Sequence, residues 1–327
     1  MKVTEMSKEV FHMTERILAF QPLTSDQAQE LTTLGAEVIP ADDWETATGI
    51  TVIFGWHREH GPKVLQNPAN TIHWIQTASA GVDYLPLDWI KAHQIRVTNA
   101  SGAYSGAIAE STIGYLLYFL RGFNESVKNQ AGHFWQRPAR SDLGLLSNQK
   151  IVIYGTGSIG QAIANLLNGF GNYPFGVNRT GHGVTGFQGA VALADDTGLV
   201  KDADVVINAM PATSATDHYF GRDYFKHLDG LRVFVNVGRG KSVDEAALMD
   251  ALLYQNVLHA ALDVFETEPL PKTSRLWDYP NVIITPHQTG FAAENTLPIF
   301  GYLKDNLTSW TTDHELTVNL VDVSRGY

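Results

Sequence analysis

Three polar residues stand where apolar runs of the sequence end, which is where buried strands would end. They are Arg239, Glu268 and His287, and they end or follow the runs 231–240, 259–265 and 282–287. Ligands of open α/β sheets bind beyond the carboxyl ends of the strands, so we expect these side chains at one site.

Together the three residues suit hydride exchange at the carbonyl of a 2-oxo acid. Arg239 can hold the substrate carboxylate with its planar guanidinium and polarise the neighbouring carbonyl. His287 can give a proton to the carbonyl oxygen and remove it in the reverse reaction. Glu268 beside it would favour the charged imidazole and fix its tautomer. Asp263, which lies in the run 259–265 just before Glu268, could accept a hydrogen bond from a nicotinamide carboxamide.

Each residue alone also has an ordinary interpretation. Arg239 would serve equally well in a surface ion pair, and Glu268 precedes a proline in a turn where it could simply be solvated. His287 is one of 12 histidines, and a single histidine after a proline is more often structural. Their joint occurrence after a dinucleotide-binding turn favours the functional interpretation.

That turn lies in Ile151–Gly160, where four apolar residues lead into the pattern G-x-G-x-x-G and then into a segment with helical spacing. Gly155 would allow the tight turn, Gly157 would let a pyrophosphate approach the backbone, and Gly160 would let the helix pack closely on the strand. The helix would start near Ser158 and Ile159 and offer free N–H groups to the phosphates.

The end of the next strand, Tyr173–Val177, should select the cofactor. An NAD enzyme usually carries an acidic residue there for the ribose 2′-OH. This chain has Asn178, Arg179 and Thr180 instead, and its next carboxylate is Asp195. A guanidinium and a hydroxyl suit a 2′-phosphate, so we favour NADP over NAD. The alternative is that Arg179 is a solvated surface charge.

The chain before this turn predicts a second parallel sheet without a glycine fingerprint of its own. Its strands are Arg16–Phe20, 37–39, 51–55, 73–76 and 96–98, with a helix over 27–34. This region is therefore a better candidate for holding substrate than nucleotide. Ala78–Asp83 follows one strand with small residues, which suits either an ordinary turn or backbone N–H groups aimed at an anion.

Several further segments can be assigned from composition. The Gly-, Ser- and Asn-rich stretch 99–106 suits a hinge, and Ile108–Leu120 predicts a helix apolar nearly all round, buried between domains or against a second subunit. Asn124–Trp135 predicts another helix, with Trp135 either at an interface or in the core. A helix near 292–311 could return to the first domain, and residues before about Thr14 would form a short helix or an arm.

Bulk composition limits the classes of partner. The 327 residues carry a net charge of −11, which argues against nucleic acid or an anionic membrane. The chain has no cysteine, which excludes disulfides, thiol nucleophiles and cysteine-bound metals, and we expect no metal site. Neither a signal peptide nor a membrane-spanning run is recognisable, so we expect a cytoplasmic protein.

At this point the chain resembles the D-isomer-specific 2-hydroxyacid dehydrogenase family. The matching motifs occur in family order over about residues 70–300. They are Ser79–Asp83, Val97–Asn99, Ala109-Glu110, Gly155–Gly160, Asn236–Gly240, Leu262–Phe265, Glu268–Leu270 and Thr285–His287.

The resemblance implies two doubly wound α/β domains. A flavodoxin-like substrate domain would be split between residues 1–99 and 291–327, and a Rossmann cofactor domain would be inserted at 100–290. It implies catalytic roles for Arg239, Glu268 and His287, and a substrate carboxylate held by the N–H groups of Ala80 and Gly81.

The resemblance also bears on the cofactor and on oligomeric state. Segment 178–181 is similar to the NADP-preferring glyoxylate/hydroxypyruvate reductase branch. The expected cofactor contacts include Arg239, Asp263, His287, the glycine turn 155–160 and the segment 178–180. The others are Met210, Pro211, Val237, Gly238 and Gly290. The family is usually dimeric through the region after the hinge, so we expect a homodimer acting on a small 2-oxo acid.

Three rival functions remain at this stage. One is an NAD-dependent enzyme of the same family, similar to phosphoglycerate dehydrogenase. Another is a non-catalytic nucleotide-sensing module, as in corepressors of this fold. Formate dehydrogenase is the third, and Glu268 disfavours it because related sequences pair glutamine with the histidine.

Overall fold

A computed structural model describes residues 15–324 of the chain. The described residues divide into two compact units, one made of residues 15–101 and 294–324 and the other of residues 102–293. Each unit contains one parallel sheet. The segment before about Thr14, predicted to be a short helix or an arm, lies outside the described residues.

The first unit is built on a five-stranded parallel sheet. Its strands are β1 (Glu15–Ala19), β2 (Ala36–Pro40), β3 (Val52–Phe54), β4 (Trp74–Gln76) and β5 (Arg96–Thr98). The order β2-β1-β3-β4-β5 reverses direction between β1 and β3, which is the flavodoxin-like arrangement. Buried residues such as Leu18, Ile53, Ile75 and Val97 form the core on one face.

Four helices belong to this unit. They are α1 (Ser25–Thr33), α2 (His60–Gln66), α3 (Leu87–Ala92) and α10 (Thr296–Asp313). Thr24 and Gln27 cap α1 reciprocally in a capping box, which explains why the helix begins there. The closing helix α10 buries Ile299, Leu303 and Leu307, so the chain does return to the unit in which it began.

The second unit is built on a seven-stranded parallel sheet. Its strands are β6 (Ile151–Tyr154), β7 (Phe175–Asn178), β8 (Gly189–Ala192), β9 (Val205–Asn208), β10 (Leu231–Asn236), β11 (Val257–Leu262) and β12 (Val282–Ile284). The order β12-β11-β10-β9-β6-β7-β8 is the Rossmann arrangement with one added strand. It reverses direction between β6 and β9, beside the glycine turn.

Apolar clusters cover both faces of this sheet, as doubly wound topology requires. The helices of the unit are α4 (Ser105–Leu120), α5 (Phe123–Ala131), α6 (Ser158–Gly169), α7 (Thr197–Val200), α8 (Arg222–Phe225) and α9 (Glu245–Leu253). Helix α4 buries Ile113, Leu116 and Phe119 in the cluster that also contains β6 and α6. Its apolar character is therefore accounted for within the unit.

The predicted helix Asn124–Trp135 is wrong at its end. Helix α5 ends at Ala131 with Gly132 as its C-cap, and His133 then takes the left-handed conformation. Trp135 follows as an almost fully exposed side chain, at 99% of its maximal accessibility, so it is not a core residue of this chain. Among residues 15–324, no helix combines the length and the apolar character needed to cross a bilayer.

Candidate active site

The glycine turn has the geometry that its sequence predicts. Gly155 has φ +92°, and a Cβ on it would lie 2.6 Å from the Ala209 carbonyl oxygen, so a side chain is excluded there. A Cβ on Gly160 would lie 2.0 Å from the Gly155 carbonyl oxygen, which explains the close packing of α6. At Gly157, the N-cap of α6, no described residue other than its two chain neighbours lies within 4 Å of the Cβ position. This bare backbone before Ser158 and Ile159 fits a dinucleotide pyrophosphate.

The turn after β7 is organised by the side chain of Asn178. Its Oδ1 accepts hydrogen bonds from the backbone N–H groups of Thr180 (3.2 Å) and Gly181 (2.7 Å). Its Nδ2 donates to Thr156 Oγ1 at 3.1 Å, in the glycine turn, and to the His182 carbonyl at 2.9 Å. One asparagine therefore joins the glycine turn to the segment predicted to recognise the ribose.

Arg179 lies on the outer side of this turn. Its side chain is exposed and makes no hydrogen bond or ion pair with another residue of the described range. The guanidinium is therefore not occupied by an internal partner, which is compatible with binding a phosphate.

Buried amides hold the loop that carries Arg239. Asn208, at the end of β9, donates through Nδ2 to Asn236 Oδ1 at 2.8 Å and to Ser242 Oγ at 2.6 Å. Ser242 Oγ in turn donates to the Arg239 carbonyl at 2.6 Å, and Asn236 Oδ1 accepts from Gly238 N at 3.2 Å. Because these side chains are almost fully buried, they fix the backbone on both sides of the arginine.

The same asparagines fix the backbone of other predicted cofactor contacts. Val237 N donates to the Asn208 carbonyl at 3.0 Å, and Met210 N donates to Asn208 Oδ1 at 3.1 Å. The carbonyl of Pro211 accepts from Thr216 Oγ1 at 2.8 Å. Both the side chain and the carbonyl of Asn208 thus join the loops after β9 and β10.

Glu268 and His287 are in direct contact. His287 Nδ1 and Glu268 Oε2 are 2.8 Å apart, and Glu268 Oε1 accepts from Phe265 N at 3.0 Å. The arginine loop adjoins this segment, because a Cβ on Gly240 would lie 1.8 Å from the Phe265 carbonyl oxygen. The glutamate is thus fixed by the backbone at one oxygen and presents the other to the imidazole, which leaves Nε2 as the second ring nitrogen for chemistry.

Asp263 holds the loop on which His287 lies. Its Oδ1 accepts from Thr285 Oγ1 (2.6 Å) and from the backbone N–H of Gln288 (2.9 Å), and its Oδ2 accepts from Thr289 Oγ1 (2.6 Å). His287 itself has φ +52° and donates its N–H to the Asp263 carbonyl at 2.8 Å. Both carboxylate oxygens are committed to this loop, so the side chain acts as an anchor. Its predicted contact with a carboxamide stays a prediction.

Helix α4 supports the same loop from the side. Tyr115 OH lies 2.6 Å from Thr285 Oγ1, and Ser111 Oγ donates to the Thr289 carbonyl at 3.3 Å. Burial raises the pKa of Tyr115 to about 12, so the phenol stays protonated at neutral pH. Gly290, the last predicted cofactor contact, lies against Tyr104, with 3.4 Å between its Cβ position and Tyr104 Cβ.

In the first unit, the loop after β4 has its carbonyls occupied and two of its N–H groups open. The Ala80 carbonyl accepts from Asn99 Nδ2 at 2.7 Å, and the Gly81 carbonyl accepts from Ser79 Oγ at 2.9 Å. The N–H groups of Ala80 and Gly81 donate to no other residue in the described part of the chain. Consecutive free N–H groups of this kind can bind an anion.

Sequence reasoning missed the residues that position this machinery. Asn208, Ser242, Thr285, Thr289 and Tyr115 are ordinary polar residues in apolar surroundings, and no spacing marks them as partners. The one available signal was a polar residue at the end of each of two neighbouring apolar strands, Asn208 and Asn236. Such a residue must find a hydrogen bond when it is buried.

A Rossmann sheet with a glutamate–histidine pair beyond its strand ends is typical of nicotinamide-dependent oxidoreductases. The NAD-binding domain profile of the D-isomer specific 2-hydroxyacid dehydrogenases matches residues 113–289. The human glyoxylate reductase/hydroxypyruvate reductase is 31% identical over 283 residues, which cover 83% of this chain and 84% of that protein. The D-3-phosphoglycerate dehydrogenase of Methanocaldococcus jannaschii is 30% identical over 94% of this chain and 59% of that protein.

A solved structure is similar over nearly the whole chain. The D-isomer specific 2-hydroxyacid dehydrogenase of Xanthobacter autotrophicus Py2, crystallised with NADPH and MES, has 25% identity and a TM-score of 0.82, and covers 96% of this chain and 100% of that one. The chain belongs to the D-isomer specific 2-hydroxyacid dehydrogenase family. Its enzymatic class is that of the NAD(P)-dependent D-2-hydroxyacid dehydrogenases.

Proposed function

We propose that the protein reduces small 2-oxo acids to D-2-hydroxy acids with NADPH. The contact of 2.8 Å between His287 Nδ1 and Glu268 Oε2 is the main observation behind this proposal. It gives an imidazole with one nitrogen bound to a fixed carboxylate and the other able to exchange a proton with substrate. The known activities of the human and archaeal relatives fall in the same class of reaction.

When bound, NADPH would supply the hydride that the carbonyl carbon of the substrate accepts in the forward reaction. Arg239 binds the substrate carboxylate and draws electron density from the adjacent carbonyl. His287 transfers its Nε2 proton to the carbonyl oxygen, which completes the hydroxyl group, and then regains a proton from solvent. Glu268 stabilises the charged imidazole before the transfer and keeps the remaining proton on Nδ1 afterwards.

We propose in addition that the open N–H groups of Ala80 and Gly81 bind a substrate carboxylate. In this proposal they act on the carboxylate alone, since a backbone N–H carries no net charge and cannot deliver a proton. They would therefore contribute to substrate binding and orientation, whereas His287 contributes to the proton transfer.

The preference for NADPH rests on the turn after β7. Asn178 closes this turn through two backbone hydrogen bonds, and no carboxylate follows until Asp195. Arg179 and Thr180 are exposed on it and offer a guanidinium and a hydroxyl to a 2′-phosphate. The structure of the Xanthobacter relative was solved with NADPH.

The test is a panel of 2-oxo acids with both cofactors. Glyoxylate, hydroxypyruvate, pyruvate and branched 2-oxo acids are incubated with NADPH or NADH, and the loss of nicotinamide absorbance is followed. We expect turnover of at least one acid, faster with NADPH at equal concentration. Absence of turnover with every acid and both cofactors would refute the proposal, and faster turnover with NADH would refute its cofactor part.

The variant Arg179→Ala tests the proposed preference for NADPH. Losing a charge-assisted contact to phosphate should raise the KM for NADPH about tenfold or more, with a much smaller effect on NADH. Equal effects on the two cofactors would show that Arg179 does not recognise the 2′-phosphate.

We also infer that the protein is a homodimer and works in the cytoplasm. The segment after α5 exposes Phe134 (67%) and Trp135 (99%), a large apolar surface for a chain in isolation. The lack of cysteine fits a reducing compartment. Sedimentation should give twice the chain mass for the wild type, and Trp135→Ala should weaken the association. A monomeric wild type would contradict the first inference, and localisation by cell fractionation tests the second.

A further inference from the structure

His182 lies on the same turn as the proposed 2′-phosphate contacts and is oriented by one of them. Its Nδ1 is 2.9 Å from Thr180 Oγ1, and its carbonyl accepts from Asn178 Nδ2 at 2.9 Å. The turn that fixes Arg179 thus fixes His182 as well. The histidine is exposed, and its Nε2 bonds to no other residue within 15–324.

We propose that His182 is a specificity-determining residue that donates a hydrogen bond from Nε2 to the 2′-phosphate of NADP(H) and becomes charged when it does so. The inference rests on the proposed preference for NADPH. It adds to Arg179 a second cation, whose charge the bound phosphate stabilises.

The contact with Thr180 supports this role. When the Thr180 hydroxyl donates to Nδ1, the neutral ring carries its proton on Nε2, which is then a donor. When the ring takes up a second proton, Thr180 Oγ1 accepts from Nδ1 instead. The imidazole can therefore donate from Nε2 in both states, and a phosphate dianion beside it favours the charged one.

Few other charges lie on the segments that contact this turn. A Cβ on Gly181 would lie 2.9 Å from Ala192 N, so β8 packs directly against the turn, and β8 itself has no charged residue. After β8 come Asp195, which is exposed, and Asp196, which is buried and accepts from Tyr219 OH at 2.6 Å. From the glycine turn, the contact with this segment is made by the uncharged side chain of Thr156. Arg179 is the cation on the turn itself.

Proton uptake distinguishes this role from simple packing. At pH 7.5 a phosphate monoester is mostly the dianion because its second pKa is about 6, and a dianion within hydrogen-bond distance favours the protonated imidazole. Binding of NADP⁺ should then take up a fraction of a proton that binding of NAD⁺ does not. Calorimetric titrations of the full chain in two buffers of different ionisation enthalpy measure this difference directly, without any turnover.

The variants are His182→Gln, Thr180→Val and the control His93→Gln, which changes an exposed histidine in the first unit. His182→Gln should lower the ratio of kcat/KM for NADPH over NADH about fivefold to tenfold and remove the extra proton uptake. Thr180→Val should lower the ratio less, because the ring remains but loses its anchor. His93→Gln should behave as the wild type.

The outcomes separate the two proposals. A wild type that prefers NADH refutes the cofactor part of the proposed function, and His182 falls with it. A wild type that prefers NADPH but shows no extra proton uptake, or a His182→Gln variant with an unchanged ratio, overturns the role of His182 alone.

Discussion

Each of the two parallel sheets buries a hydrogen-bonded carboxylate, at the amino ends of the strands in the first unit and at the carboxyl ends in the second. In the first unit, Glu15, at the start of β1, accepts from Thr51 Oγ1 (2.5 Å) and from Trp310 Nε1 of α10 (2.8 Å), and its Oε2 lies 3.3 Å from His73 Nε2. In the second unit, Asp263 lies just after the end of β11 and accepts from the loop that carries His287. Each cluster centres on a buried carboxylate.

The difference shows how the same architecture separates stability from chemistry. The cluster at the amino ends joins helix α10 to the segments that enter β3 and β4, and it contains none of the candidate catalytic side chains. The cluster at the carboxyl ends holds loops whose outer side chains are the candidate catalytic groups. We therefore expect changes in the first cluster to alter the free energy of unfolding, and changes in the second to alter turnover.

His287→Asn should have the largest effect. Asparagine tolerates the left-handed backbone found at this position, so the loop can persist while the proton donor is lost. We expect kcat for 2-oxo acid reduction to fall about 10³-fold with little change in the midpoint of thermal unfolding.

The matched control is His314→Asn, which has the same backbone conformation at the end of α10. It should leave kcat unchanged and lower the unfolding midpoint slightly, because the contact of its ring with Trp310 is lost. If both variants lost activity alike, the proposed division between the two clusters would be wrong.

Asp263→Asn should have the second largest effect on turnover. The amide replaces one acceptor oxygen with a donor that faces the N–H and hydroxyl donors of Thr285, Gln288 and Thr289. The resulting shift of the His287 loop should lower kcat about tenfold to a hundredfold. Steady-state kinetics at saturating cofactor measure this effect. Retention of full kcat would show that the carboxylate does not position the histidine.

Trp310→Phe tests the first cluster. The substitution keeps an aromatic ring but removes the N–H that donates to the buried Glu15, so unfolding should become easier by about 1–3 kcal/mol. Denaturant unfolding measures the change, and kcat should not move. Trp277→Phe is the control, since its indole donates to the Pro271 carbonyl at an exposed site, and its effect should be smaller.

The smallest effect is a pH dependence of stability. Burial lowers the pKa of His73, against the opposing charge of Glu15, and burial also lowers the pKa of His259 in the second unit. The unfolded chain therefore binds protons at higher pH than the folded chain. The stability that the two uncharged histidines contribute is fully present above the ordinary imidazole pKa. It is lost as the pH falls through that range, because the unfolded chain then binds protons that the folded chain does not.

His73→Gln should remove part of this decrease, as measured by denaturant midpoints between pH 8 and pH 5. The His259→Gln variant should remove another part, in the other unit. If neither variant changed the slope, other groups would be responsible for the acid sensitivity.

Much of the fold follows from the sequence because its signals are local. The apolar runs predict all five strands of the first sheet and, counting the run 203–211 that corresponds to β9, six of the seven in the second. The exception is β8, Gly189–Ala192, whose small residues have no hydrophobic contrast with their neighbours. The predicted end of α5 is also wrong, since Gly132 ends the helix although the residues after it are compatible with a helix.

In the candidate site, the sequence predicts the candidate catalytic residues but not the residues that hold them in place. Glu268 and His287 have types and positions that suggest chemistry, and the structure brings them into contact. The partners that fix them, such as Asp263 and Thr285, are 22 residues apart and meet because β11 and β12 are neighbours in the sheet. A pairing of that kind depends on tertiary topology, which single-residue patterns do not encode.

The second unit is one continuous segment of the chain, inserted between the two segments of the first unit. The chain enters this unit after residue 101 and leaves it before residue 294, and near these crossings Gly290 lies against Tyr104. A short bridge could therefore join the two ends of the unit, and new termini could be opened in one of its surface loops. The second unit is therefore a candidate for transfer as an intact domain, whereas a single protease cut at either crossing would divide the first unit between two chains.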